Sequence, residues 1–290
     1  MFLIKTSLTL TTFLVVSLYP VSVSAEKRIN WATIDWPPFM IVAGDDARQG
    51  LIDHVITMYQ KNMPNYQHIN QVTNFSRTWR DIKKGKHLCN PVSIKTGVRP
   101  DFARYSLPLA IAPSNRIIMK RSTYQKMATD QPVQLAQLIR NHRWRSVFDQ
   151  GRSYTPALDT LIQQRPDDSK LHADTVSSLK LVELLTNDRF DYLIEYPIVA
   201  AYYSNSRSIS SDKLVNVSIA EIAPYTAYYL ACPNNDWGKS IISDFNVMLT
   251  KIHNTPQYLK LLTNAGTNID QKEHILTNYL KLFNKESALL

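Results

Sequence analysis

Glycine is scarce, seven in 290 residues, and no cluster of glycines forms the loop that cradles a nucleotide phosphate. The seven histidines show no H-x-x-x-H or comparable spacing, so a zinc site has no support in the sequence. A G-x-S-x-G elbow is absent too, which removes the commonest serine-nucleophile motif. Beyond the first 25 residues no run is long and apolar enough to cross a bilayer. Internal repeats and low-complexity stretches are missing. With 15 Tyr, 9 Phe and 5 Trp against so few glycines, the composition is rich in rings and poor in flexible linker, which excludes a disordered chain.

What the sequence does contain begins with a processing signal. Lys5 gives a small positive start, Leu8 to Tyr19 an apolar core, and Val23-Ser24-Ala25 a small-x-small cleavage site. Residues 1–25 are therefore expected to be a secretory signal peptide cleaved after Ala25, and the product an exported, periplasmic protein. No cysteine follows the cleavage site to carry a lipid. The formal net charge of +9 favours anionic ligands or an anionic envelope surface. The densest basic cluster, Arg140-Asn141-His142-Arg143-Trp144-Arg145, has arginines interleaved with a ring as nucleic-acid binders do. A solvated helix end entering a strand explains it more plainly, and no nucleic-acid partner is expected. Cys89 and Cys232 are an even pair in an oxidising destination. They read first as a disulfide, with a thiol or metal site and two buried free thiols as the alternatives.

Periodicity predicts strands alternating with helices. A strand over Arg28–Asp35 ends at Pro37-Pro38, a helix runs from Leu51 to about Lys61, and a second strand covers Gln67–Asn74. Ser76 is a candidate N-cap for a short helix that Gly85 ends. Thr155 caps a helix with Pro156 in first position, Ser177 opens another, and Phe190–Glu195 is a strand before a helix at Pro197. Amphipathic helices fill the chain from Gly238 to Phe283. Such alternation implies α/β architecture with mostly parallel sheets flanked by helices.

The segment that organises the rest is Thr96-Gly97-Val98-Arg99, continuing through Phe102 to Ser106-Leu107-Pro108. It leaves an apolar strand, turns, and delivers an arginine whose planar fork can hold a carboxylate in two parallel bonds. This T-x-x-R…F-x-x-x-S-x-P run resembles the signature of the extracellular solute-binding proteins of family 3, the type II periplasmic binding proteins best known as amino-acid receptors of ABC importers. Ile29 to Phe39 resembles that family's first strand and its aromatic-Pro-Pro-Phe loop, and Gly50-Leu51-Ile52-Asp53 the opening of its first helix.

The resemblance implies a two-lobe fold with two hinge crossings. Residues 26–120 plus 225–290 are expected to form lobe one and residues 121–224 lobe two, with the strand Arg116–Lys120 leaving lobe one and a crossing near Ser122–Pro132. Cys89 and Cys232 would fall in the same lobe, where a bridge is reasonable. It further implies that Arg99, with Thr96, holds a ligand carboxylate, that the Gly151-x-Ser153 loop donates to the same group, and that Glu195 takes the place of the acid that holds an ammonium. The relatives usually have Asp where this chain has the longer Glu195, which puts an α-amino acid ligand in doubt. Trp36 is a candidate ligand-facing ring and Phe39 a core ring. A monomer needing no cofactor is implied, with a small-molecule ligand and either a membrane permease or a membrane sensor as partner. A few relatives resemble cyclohexadienyl dehydratases, which leaves an enzyme as a further alternative.

Overall fold

The computed structural model describes residues 27–96, 99, 101–127, 131–174, 177–209, 213–264 and 268–289. The expected leader lies outside the described residues, as do Gly97, Val98 and Pro100 of the Arg99 loop. Among the described residues no helix is long and apolar enough to cross a membrane.

The chain runs β1 (Arg28–Ile34), α1 (Leu51–Asn62), β2 (Gln67–Thr73), α2 (Phe75–Lys83), β3 (Leu88–Ser93), β4 (Ala103–Pro113), β5 (Arg116–Lys120), α3 (Arg121–Met127), α4 (Leu135–Arg140) and β6 (Ser146–Asp149). It continues with α5 (Pro156–Gln163), β7 (Leu171–Asp174), α6 (Ser178–Thr186), β8 (Tyr192–Glu195), α7 (Pro197–Ser206), β9 (Leu214–Val217), β10 (Tyr225–Pro233), α8 (Asp236–Ile252), α9 (Pro256–Thr263) and α10 (Ile269–Ser287). Two five-stranded sheets result, ordered β2-β1-β3-β10-β4 and β7-β6-β8-β5-β9. Each is mixed. The pairings β1–β2, β1–β3, β6–β7 and β6–β8 are parallel, whereas β10 with β3 and β4, and β5 with β8 and β9, run antiparallel. Helical crossovers account for the parallel halves, and the strands next to the crossings between sheets account for the antiparallel halves.

One boundary differs from the sequence reading. The strand Arg116–Lys120 was expected with lobe one, yet β5 pairs with β8 and β9 inside the second sheet. The chain therefore changes sheets at Ser114-Asn115, and α3 occupies the start of the segment where a crossing was expected. No glycine or exposed polar run marks the turnover. Ser114 and Asn115 are buried, and the Ser114 amide donates to the Pro224 carbonyl of the returning segment at 2.9 Å.

Local chemistry sets the helix starts. Asn74, Thr155, Ser177, Asn235, Thr255 and Asn268 each accept an amide of the first turn with the side chain. Ser76, read as the cap of α2, sits inside its first turn, because Asn74 caps it and the Ser76 hydroxyl donates elsewhere. The helices pack by their apolar stripes. α8 buries Ile241, Ile242, Phe245, Met248 and Leu249 along one face, and each such side chain contributes about 1.5–3 kcal/mol. Tyr59 meets Phe245 edge-on at 4.8 Å, joining α1 to α8 in the first core. In the same sheet, Cys89 of β3 and Cys232 of β10 are bonded to each other, with their Cα atoms 4.3 Å apart.

Candidate functional site

A cavity of about 400 Å³ lies where the two sheets face one another and extends into the first lobe. From the first lobe it is lined by Trp36, Phe39, Asn90, Ser93 and Arg99, and from the second by Arg152, Ser153 and Tyr196.

The turn after β1 is fixed by Pro37-Pro38 and by the Trp36 amide donating to the Met40 carbonyl at 3.0 Å. It presents Trp36 to the second lobe, and the ring packs on Phe39 at 4.4 Å and Phe75 at 5.4 Å of its own lobe and on Tyr196 of the other at 5.7 Å. The Trp36 indole N–H is buried without a partner among the described residues, as is the Ser93 hydroxyl. Phe39, expected in the core, is half-buried and lines the cavity beside Trp36.

Arg99 is buried, and its guanidinium lies over the Trp79 ring at 3.8 Å. One Nη donates across the cleft to the Gly151 carbonyl at 3.2 Å. Burial lowers its pKa, opposed by Tyr105 and by the charge of Asp159. Among the described residues no carboxylate comes within ion-pair distance, so a desolvated cation faces the cleft with only polar partners. Arg104, five residues on, is exposed. Thr96 is buried nearby with its hydroxyl unpartnered, and it is not one of the cavity-lining residues.

The second lobe contributes the turn from Gln150 to Ser153. Gly151 has φ +88°, and a Cβ there would sit 2.5 Å from the Ser76 hydroxyl and 2.7 Å from its Cα. Glycine thus meets two demands at once, a left-handed backbone and close approach of the other lobe. The Ser76 hydroxyl donates to the Gln150 carbonyl at 2.6 Å. Ser153 lines the cavity, and its hydroxyl donates to Asp159, which also accepts the Tyr154 amide at 2.9 Å.

Glu195, at the end of β8, is 3 % exposed, and both of its oxygens are taken by Arg152, at 2.6 and 2.7 Å. The Tyr196 amide adds a third hydrogen bond at 2.8 Å. Arg152 is further held by the Asn115 amide oxygen at 3.1 Å and sits over the rings of Trp36, Tyr154 and Tyr196 at 4.7, 4.7 and 5.2 Å. Burial opposes its charge, yet Glu195 more than offsets that cost and raises its pKa above the ordinary arginine value. The acid expected to meet a ligand ammonium is therefore engaged by the chain's own guanidinium.

Arg152 and Tyr196 are functional-site residues that motif reading passed over. Arg152 fell on the variable position of Gly151-x-Ser153, and Tyr196 looked like the residue between a strand and Pro197. Tyr196 crosses the cleft, with its hydroxyl 2.7 Å from that of Tyr228 on β10. The signal that could have found Arg152 is an arginine in that loop together with a glutamate at the end of the β8 strand.

No protein-family model matches the sequence, and no curated protein is significantly similar to it. Solved structures do match. A histidine kinase sensor domain with similarity to periplasmic binding proteins superposes with a TM-score of 0.65 at 15% identity, covering 83% of this chain and 96% of that one. The amino acid ABC transporter substrate-binding protein AbpA of Streptococcus pneumoniae, bound to L-arginine, gives 0.60 at 18% identity, covering 82% and 94%. The VFT2 domain of Bordetella pertussis BvgS gives 0.59 at 18% identity, covering 82% and 92%. At such identities the likeness is one of fold, and the chain has the two-lobed α/β architecture shared by transporter-associated binding proteins and sensor domains.

Proposed function

We propose that this chain is an exported periplasmic solute-binding protein that captures a small polar or anionic solute between its lobes by hinge closure, for an ABC importer. The observation that carries this reading is Arg99, a buried cation without an ion-pair partner among the described residues, facing a cavity whose walls come from both sheets. Trp36 forms the aromatic wall of the site and Ser153 its lobe-two hydroxyl. The expected signal sequence and the amino acid ABC transporter substrate-binding proteins among the structural relatives support the same reading.

A second reading, a periplasmic sensor subunit reporting its ligand to a membrane signalling protein, is supported by the sensor domains among those relatives. Both readings use one closure equilibrium. A dehydratase needs an acid free in the cleft, and Glu195 is held by Arg152.

A thermal-shift screen of amino acids, small peptides and organic acids tests the proposal. A ligand present at about a hundred times its Kd adds roughly 2.7 kcal/mol to the folded state. Silence from all three classes would overturn it. A deletion strain that loses uptake of the ligand supports transport, and one that keeps uptake but loses a transcriptional response supports sensing.

A further inference from the structure

The chain has already furnished its cleft with the cation that an amino-acid ligand would bring. Three arginines, Arg99, Arg116 and Arg152, line the cavity, and no aspartate or glutamate does so among the described residues. Two acids next to lining residues are engaged. Glu195 is buried and bonded through both oxygens to Arg152, and Asp159 accepts the Ser153 hydroxyl and the Tyr154 amide. The rings that could have caged an ammonium, Trp36, Tyr154 and Tyr196, already surround the Arg152 guanidinium. An ammonium entering here would meet like charge and, among the described residues, no carboxylate on the cavity wall.

What the cavity offers instead is donors and apolar wall. Trp36 and Ser93 line it, and among the described residues the Trp36 indole N–H and the Ser93 hydroxyl are buried without a partner, which is costly for such groups. Beyond them the cavity continues into the first lobe between α1 and α9, along Leu51, Ile52 and Val55 on one side and Ile111, Leu261 and Leu262 on the other. These side chains are apolar, and Gln271 of α10 is a polar residue that also lines the cavity.

We infer that the ligand is an organic anion without an ammonium group, its carboxylate at Arg99 with Trp36 and Ser93 in reach, and its hydrocarbon or aryl body in the arm between α1 and α9. The inference rests on the reading of the cleft as a solute site. Arg152 is then a specificity-determining residue, since by neutralising Glu195 and filling the aromatic box it removes the place an α-ammonium would take.

Calorimetric titration with two matched pairs tests this: 3-phenylpropanoate against phenylalanine, and octanoate against 2-aminooctanoate. Within each pair the skeleton is the same and only the ammonium differs. The des-amino member is expected to bind at least about tenfold tighter in both pairs. An amino acid that binds as tightly as its partner in either pair overturns the inference and leaves the solute-binding reading standing. If all four are silent while another small solute stabilises the protein, the inference falls alone; silence toward every solute removes both. Arg152→Met, which frees Glu195, is expected to narrow the preference within each pair. Should that variant fail to fold, Leu261→Trp fills the arm and is expected to weaken octanoate about tenfold while the unliganded melting temperature stays within a few degrees. Unchanged octanoate affinity in Leu261→Trp places the body elsewhere and overturns the assignment.

Discussion

Two arginines lie five residues apart, yet the structure buries Arg99 against Trp79 in the loop before β4 and leaves Arg104, on β4, exposed. Charge alone does not separate them; desolvation does. Arg99→Ala is expected to abolish measurable ligand binding with the fold intact. Arg99→Lys, which keeps the charge but loses the planar fork, should weaken binding at least about tenfold, and Arg104→Ala should change little. Titration calorimetry of the three variants checks this, and near-native affinity in Arg99→Ala would show that the cleft cation is not the anchor. Asp149 raises a different matter at the same scale. Burial pushes its carboxyl up from 3.8 to about 7, with Glu195 and Asp174 adding to the rise and Arg152 opposing it. The folded protein thus holds a proton that the unfolded chain releases. Its stabilising effect is full below about pH 4 and is lost as pH rises toward about 7. Asp149→Asn removes that slope, so the wild-type melting temperature should decline relative to the variant across this window and run parallel above it. A constant offset from pH 4 to pH 8 would refute the assignment.

At the scale of elements, the bond between β3 and β10 joins neighbouring strands of the first sheet across a sequence separation of 143. The protein should show no alkylatable thiol after unfolding without reductant, and two labelled cysteines would exclude the bridge. Replacing both by alanine should cost about 2–5 kcal/mol in denaturant unfolding, because so long a loop is closed. The elements were largely legible in the sequence, since helix periodicity and caps are local. Thr155 with Pro156, and Ser177, mark true helix starts. What was not legible is non-local. β5 reads as a hydrophobic run that either sheet would accept, and only its pairing with β8 and β9 decides. Of the residues named from the sequence, Arg99, Trp36 and Ser153 line the cavity and Thr96 does not. Glu195 was expected to meet a ligand ammonium, and its engagement by Arg152 was hidden, because the two are 43 residues apart and meet only once β6 and β8 are side by side.

For the whole molecule, the lobes meet through hydrogen bonds of Ser76 to the Gln150 carbonyl, Arg99 to the Gly151 carbonyl and Tyr196 with Tyr228, and through the packing of Trp36 on Tyr196 and Arg152. Gly151→Ala would place a methyl group 2.5 Å from the Ser76 hydroxyl. It should separate the lobes rather than unfold either of them, lowering ligand affinity and raising the radius of gyration in small-angle scattering; unchanged values of both would show that the turn does not govern closure. The order of the strands carries one more consequence. β5 to β9 come from one uninterrupted stretch, whereas the first sheet needs β10, which lies after that stretch, and β4 has no sheet neighbour except β10. A chain that has emerged as far as Val217 owns every strand of the second lobe and still lacks the one that seats β4 in the first. The second lobe is thus an insert able to condense by itself, and the first completes only when the late-arriving Cys232 reaches Cys89. In pulsed hydrogen exchange during refolding, amides of β6 and β8 should gain protection before those of β4, so that the lobe in the middle of the sequence is the older structure in each molecule's life.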